Sequence, residues 1–166
     1  PERHNAVKVL LFLDIGGSMD DHVKVVEELF SAARAEFKHF EHFYFHNCLY
    51  EGVWRDNRRR WTEQTQTWDV LHTYGPDYKA IFVGDASMSP YEILHPGGAN
   101  EHWNAESGET WLRRACEKWP GHLWINPVPE KHWDYTQSIG MVRAIFENRM
   151  VPMTLEGIGR GVKVLT

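Results

Sequence analysis

Two stretches of this sequence, VKVLLFLD (Val7 to Asp14) and KAIFVGD (Lys79 to Asp85), stay largely apolar for the length of a strand and then stop on an aspartate. A continuous apolar run of that length reads as a strand buried on both faces, which is the habit of parallel sheets. A carboxylate at the end of such a strand is costly to bury unless something pairs with it. It holds a metal, does chemistry, or caps the helix that follows. In open α/β sheets, ligands bind at the carboxyl ends of the strands, so both aspartates are delivered to one working edge.

The rest of the chain alternates in the same way. Residues Asp20 to Phe37 carry apolar side chains at helical spacing, with Val23, Val26, Leu29, Phe30, Ala33 and Phe37 on one face. HFYFHN (42–47) and LYEGVW (49–54) read as strands too close together for a crossover helix, hence an antiparallel pair at the sheet edge. Thr67 to Tyr74 is a short helix that stops at Gly75-Pro76. A long polar loop spans Ala86 to Gly108, with one helical turn at Pro90 to Leu94. A helix (110–119), the strand HLWIN (122–126), a helix (136–148) and a glycine-bearing final helix from Leu155 complete the pattern. The expectation is a Rossmann-like α/β fold: a mostly parallel sheet with one antiparallel edge strand and helices on both faces. Residues 1–166 read as a single domain, and Pro1 in place of Met suggests the C-terminal part of a longer chain.

The net charge of -5 argues against a pervasive nucleic-acid surface. Arg55, Arg58, Arg59 and Arg60 form the one basic cluster, which reads as a solvated loop. No apolar stretch approaches the roughly 20 residues of a membrane span. Cys48 and Cys116 suit buried free thiols in a reducing, cytoplasmic setting. The tryptophans Trp103, Trp111, Trp124 and Trp133 read as packing residues. Glu92, His95, Glu101 and His102 read as exposed polar residues of the long loop.

The working edge also offers hydroxyls. Ser18 lies on the turn that enters the first helix, and Thr65 on the turn that enters the second. Thr62 fits that place less well, being out of register with Leu71. Two carboxylates and two hydroxyls from three loops form a hard-oxygen set that suits Mg²⁺ and its retained waters. They suit Zn²⁺ poorly, because no His or Cys stands in those loops.

FLDIGGSM, TQTWDVL and FVGDAS, in that order, resemble the three metal-site loops of the von Willebrand factor A (VWA) domains, and the resemblance covers nearly the whole chain. VGDASMSPYE, the NEHWNAESG loop and WINPVPEKHW look like bacterial CoxE-like members of that group. The resemblance implies a metal-ion-dependent adhesion site (MIDAS) of Asp14, Ser18, Thr65 and Asp85, binding Mg²⁺ or else Mn²⁺ or Ca²⁺. The chain departs from the motif at Gly16, where the family carries a serine. What is implied is binding rather than catalysis: the ion bridges to a carboxylate of a partner protein. The surrounding loop residues Gly16, Met19, Asp20, Met88, Tyr91, Glu101, His102 and Trp103 would set partner choice. CoxE-like proteins are expected beside MoxR-type AAA+ ATPases, in complex assembly or metallocofactor maturation.

Two alternatives stand beside this. An aspartate after a buried strand is also the nucleophile of haloacid-dehalogenase-type, Mg²⁺-dependent phosphatases. Their general acid, two residues on, is Gly16 here, and no acid closely follows Asp85. The other alternative is a VWA scaffold that has lost its metal.

Overall fold

The computed structural model describes residues 5–99 and 103–165. Seven strands form one sheet in the order β4-β3-β2-β1-β5-β6-β7. They are β1 (Asn5–Asp14), β2 (Phe37–Phe45), β3 (Gly52–Trp54), β4 (Gln64–Gln66), β5 (Lys79–Val83), β6 (His122–Asn126) and β7 (Met150–Pro152). β1 pairs in parallel with both β2 and β5, and β5, β6 and β7 continue in parallel. β3 runs antiparallel to both its neighbours, β2 and the edge strand β4. The sheet is therefore the Rossmann-like one expected, extended at the antiparallel edge by β4. That strand is three polar residues with no apolar alternation to announce it.

The helices are α1 (Val23–Glu36), α2 (Thr67–Thr73), α3 (Pro90–Leu94), α4 (Gly108–Lys118), α5 (Gln137–Ile145) and α6 (Leu155–Leu165). The first begins later than its periodicity suggests, because Gly17–His22 is wound as a tighter 3-10 turn. It also hands over to β2 without a loop, so Phe37 belongs to the strand. β7, which the sequence reading left unassigned, is three buried residues after α5. None of the described helices is long and apolar enough to cross a membrane.

Alternating side chains along the central strands supply two cores. Leu10, Phe12, Phe82 and Trp124 face α2, α4 and α5, with the Phe12 and Phe82 rings stacked 4.4 Å apart. Leu11, Leu13, Val83, Leu123 and Val151 face α1 and α6. Two of the three glycines of α6, Gly157 and Gly161, are explained by proximity, whereas Gly159 faces open space. A Cβ on Gly161 would stand 2.7 Å from a Leu123 methyl, so the helix lies directly on β6.

The strand order determines where the site lies. The chain leaves β1 for β2 on one side and returns as β5 on the other. The order reverses between β1 and β5, and the crevice outside their carboxyl ends is where such sheets bind ligands. Leu13 is in register with Val83, so Asp14 and Gly84-Asp85 leave the sheet side by side.

Candidate functional site

Asp85 sits in a turn held from every side. It is buried, at 2% exposure. Its Oδ1 accepts from the Ser87 amide at 3.0 Å, while its carbonyl accepts from the Asn126 side-chain amide at 3.0 Å. Ala86 adopts a left-handed φ of 55°, which is uncommon away from glycine. That conformation is fastened by Ser138, whose hydroxyl donates to the Ala86 carbonyl at 2.6 Å and accepts from the Met88 amide at 3.0 Å. The sequence alone did not mark Asn126 or Ser138, because both come from remote elements.

Asp14, at 1% exposure, lies over Gly84. A Cβ on Gly84 would stand 2.9 Å from the Asp14 Cβ and 3.2 Å from its Oδ2. The bare glycine is what lets the two aspartate turns pack together. Asp14 Oδ1 accepts from the Asn47 amide at 3.0 Å. Asn47, itself left-handed at φ 61°, donates its side-chain amide to Glu92 Oε1 at 3.0 Å. Glu92 Oε2 accepts from the Ser89 amide in a capping box at the start of α3. Glu92 is buried at 7%, which corrects the expectation of an exposed loop carboxylate. It joins the Asp14 turn to the segment after Asp85. A capping pattern (Ser89 with Glu92) was visible in the sequence, but the reach to Asn47 was not.

Gly16 has φ 85° and ψ 169°, a backbone region open essentially to glycine alone. A serine at this position would therefore have to adopt a strained backbone conformation. A Cβ there would stand 3.3 Å from the Arg59 guanidinium and 3.6 Å from His46 Nδ1. His46 Nδ1, protonated, donates to the Ile15 carbonyl at 3.0 Å. Beside this turn opens a cavity of about 460 Å³, with Asp14, Asp20 and Arg59 at its polar end and Val26 and Phe30 of α1 along its wall. Burial pushes the Tyr44 hydroxyl in that wall above its ordinary pKa, and the negative charges of Asp56 and Glu27 add to the effect.

The expected hydroxyls separate. Ser18 is exposed in the 3-10 turn after Gly16. Thr65 lies in β4, paired with Val53; the adjoining Trp54 pairs with Tyr44 of β2, and Asp14 lies one strand further, paired with Phe45. Three strand spacings put Thr65 about 14 Å from Asp14 along the sheet. The structure does not bring it beside the two aspartates. The threonine that opens α2 is Thr67, buried, with its hydroxyl donating to the Tyr50 carbonyl. Thr62 is exposed in the 3-10 turn before β4. Of the expected partner-facing residues, Tyr91 and Trp103 are 54% and 77% exposed, and Asp20 is exposed. Met88 is half-buried against the larger core. Met19, at 2% exposure, belongs to the core under α1 and offers nothing to a partner. Glu101 and His102 lie outside the described residues.

Among the described residues no group of three or more His, Cys, Asp or Glu side chains converges as a metal cluster. Two buried carboxylates from adjacent strand ends, with the Ser18 hydroxyl on the neighbouring turn, still suit a hard cation that keeps several waters. No family model matches the chain, and neither the curated proteins nor the solved structures searched give a match.

Proposed function

We propose that this chain is a VWA-like protein-interaction module in which a divalent cation at the Asp14–Asp85 edge bridges to a carboxylate of a partner protein. One observation carries the reading: two buried aspartates leave adjacent parallel strands at the point where the strand order reverses. Asp14, Asp85 and Ser18 would hold Mg²⁺, with water in the remaining positions. Such an ion supplies a positive charge with an open position. The chain's own part is to fix the two carboxylates through Asn47 and the Ser87 amide and to carry exposed Asp20 on the turn after Asp14 and exposed Tyr91 and Trp103 on the segment after Asp85. The kind of complex, assembly or cofactor maturation beside a MoxR-type AAA+ ATPase in the cytoplasm, rests on the sequence resemblance alone. A second reading, a VWA scaffold that binds its partner without metal, is favoured by the glycine-only backbone at Gly16.

A crystal soaked in Mn²⁺ separates them through its anomalous map. A peak within bonding reach of Asp14 or Asp85 and Ser18, lost in Asp14→Asn, is the expected result. No peak at millimolar Mn²⁺ would leave the metal-free scaffold. A peak accompanied by hydrolysis of p-nitrophenyl phosphate would favour the phosphatase.

A further inference from the structure

Four arginines crowd the segment between β3 and β4. Arg55 pairs with Glu41 at 2.8 Å, Arg58 with Asp56 at 3.9 Å and Arg60 with Glu63 at 3.9 Å. Arg59 is placed differently. Its backbone takes a left-handed φ of 50°, which an ordinary side chain adopts rarely and at some cost. It is half-buried, and it lines the cavity that also holds Asp14 and Asp20. Its Nη2 stands 3.3 Å from the point a Cβ of residue 16 would occupy. Gly16 leaves open the space that this guanidinium fills. The Trp54 ring lies 5.9 Å from its Cζ, within the range in which an aromatic face holds a cation.

We propose that Arg59 is a resident cation of the Asp14 turn, so that a divalent ion enters the site only as the guanidinium moves out. This deepens the metal-bridged reading above and rests on it. Arg59 and Asp14 line one cavity, so a dication held at Asp14 would meet the guanidinium's charge in partly buried surroundings, where like charges repel far more than they would in water. Arg59 therefore lowers the affinity of the site for a dication and sets the concentration at which it loads. A chain with its arginine in place is the unloaded, low-affinity form. The Asp20 side of the cavity is a surface on which the displaced guanidinium can rest.

The test is titration of Mn²⁺ into the purified chain, with the free ion followed by electron paramagnetic resonance. Arg59→Gly suits the left-handed backbone and brings no ligand atom, while Arg59→Met keeps the bulk without the charge. Both should bind Mn²⁺ about tenfold more tightly than wild type, since removal of a nearby like charge is the only feature they share. Arg59→Lys should stay within about threefold of wild type, because the charge remains. Asp14→Asn should abolish binding in either background. Equal affinity in wild type, Arg59→Gly and Arg59→Met, with loss in Asp14→Asn, would overturn the role of Arg59 and leave the metal site standing. No binding by any of them would overturn the metal reading and this inference together.

Discussion

The two aspartate turns look alike in sequence and differ in how they are held. The Asp85 turn is fastened by side chains from elsewhere: Asn126 at the end of β6 and Ser138 in α5, each bonded to its backbone. The Asp14 turn is shaped by two left-handed glycines, Gly16 and Gly17, is exposed at Ser18 and borders a cavity. Both turns are tied by remote groups, the Asp14 turn by Asn47 and His46, but only the Asp14 turn also runs through a backbone conformation that glycine alone adopts freely. A site built across both has a rigid half and an adjustable half. In the proposed metal-bridged reading, the Asp85 side would fix one carboxylate while the Asp14 side adjusts.

If the division is right, the largest stability loss follows from unfastening the rigid half. Asn126→Ala leaves the buried Asp85 carbonyl and the partly buried Val128 amide without their partner, which should cost about 2 kcal/mol in urea unfolding. A loss below about 1 kcal/mol would mean that water or a neighbour replaces the amide, and that the turn is not held tertiarily. Gly16→Ser should match it. It restores the motif's residue type but forces a side chain into a glycine-only conformation, so about 2 kcal/mol should be lost. If the serine variant were instead as stable as wild type, the Asp14 turn would be adopting another path.

Gly84→Ala probes the seam between the halves. The added methyl meets Asp14 Cβ at 2.9 Å and a Trp124 ring carbon at 3.2 Å. Overpacking there should cost about 1 kcal/mol and weaken the proposed Mn²⁺ binding, because the methyl displaces the Asp14 carboxylate as well as the Trp124 ring. Unchanged Mn²⁺ affinity would show that the carboxylates do not act as a pair.

The smallest effect is a pH dependence on the adjustable side. Burial, with the positive charges of Arg55 and Arg34, holds His42 on β2 below its ordinary value of 6.5. The unfolded chain then takes up this proton first as pH falls. The contribution is fully present above pH 6.5 and is lost as pH drops toward the depressed folded value. Because the ring is only half-buried, the loss should be small, and His42→Phe should flatten that part of the stability curve. A curve unchanged by the substitution would place the acid sensitivity elsewhere.

Much of the architecture was legible because it rests on repeating local patterns. The apolar runs of β1 and β5, the helical spacing of α1 and the Gly-Pro stop after α2 each carry their own signal. The elements that were missed have none. β4 is Gln-Thr-Gln, and it is a strand only because β3 offers it a partner. Met19 sits in a motif loop and reads as exposed, yet the 3-10 turn rolls it under α1. Thr65 shows the same limit from the other direction. Its spacing along the chain matched a site, while its register across three strands carries it away from Asp14.

By itself the sequence determined that two acids would end two buried strands at one edge, because burial on both faces leaves a continuous apolar imprint and the alternation of elements makes the sheet parallel. It also determined that residue 16 would lack a side chain. Only the tertiary structure decided which residues face those acids. Asn47, Glu92, Asn126, Ser138 and Arg59 reach the site from separate elements. A polar side chain reveals its partner only when the backbone that carries it has been placed, and no local periodicity encodes that meeting.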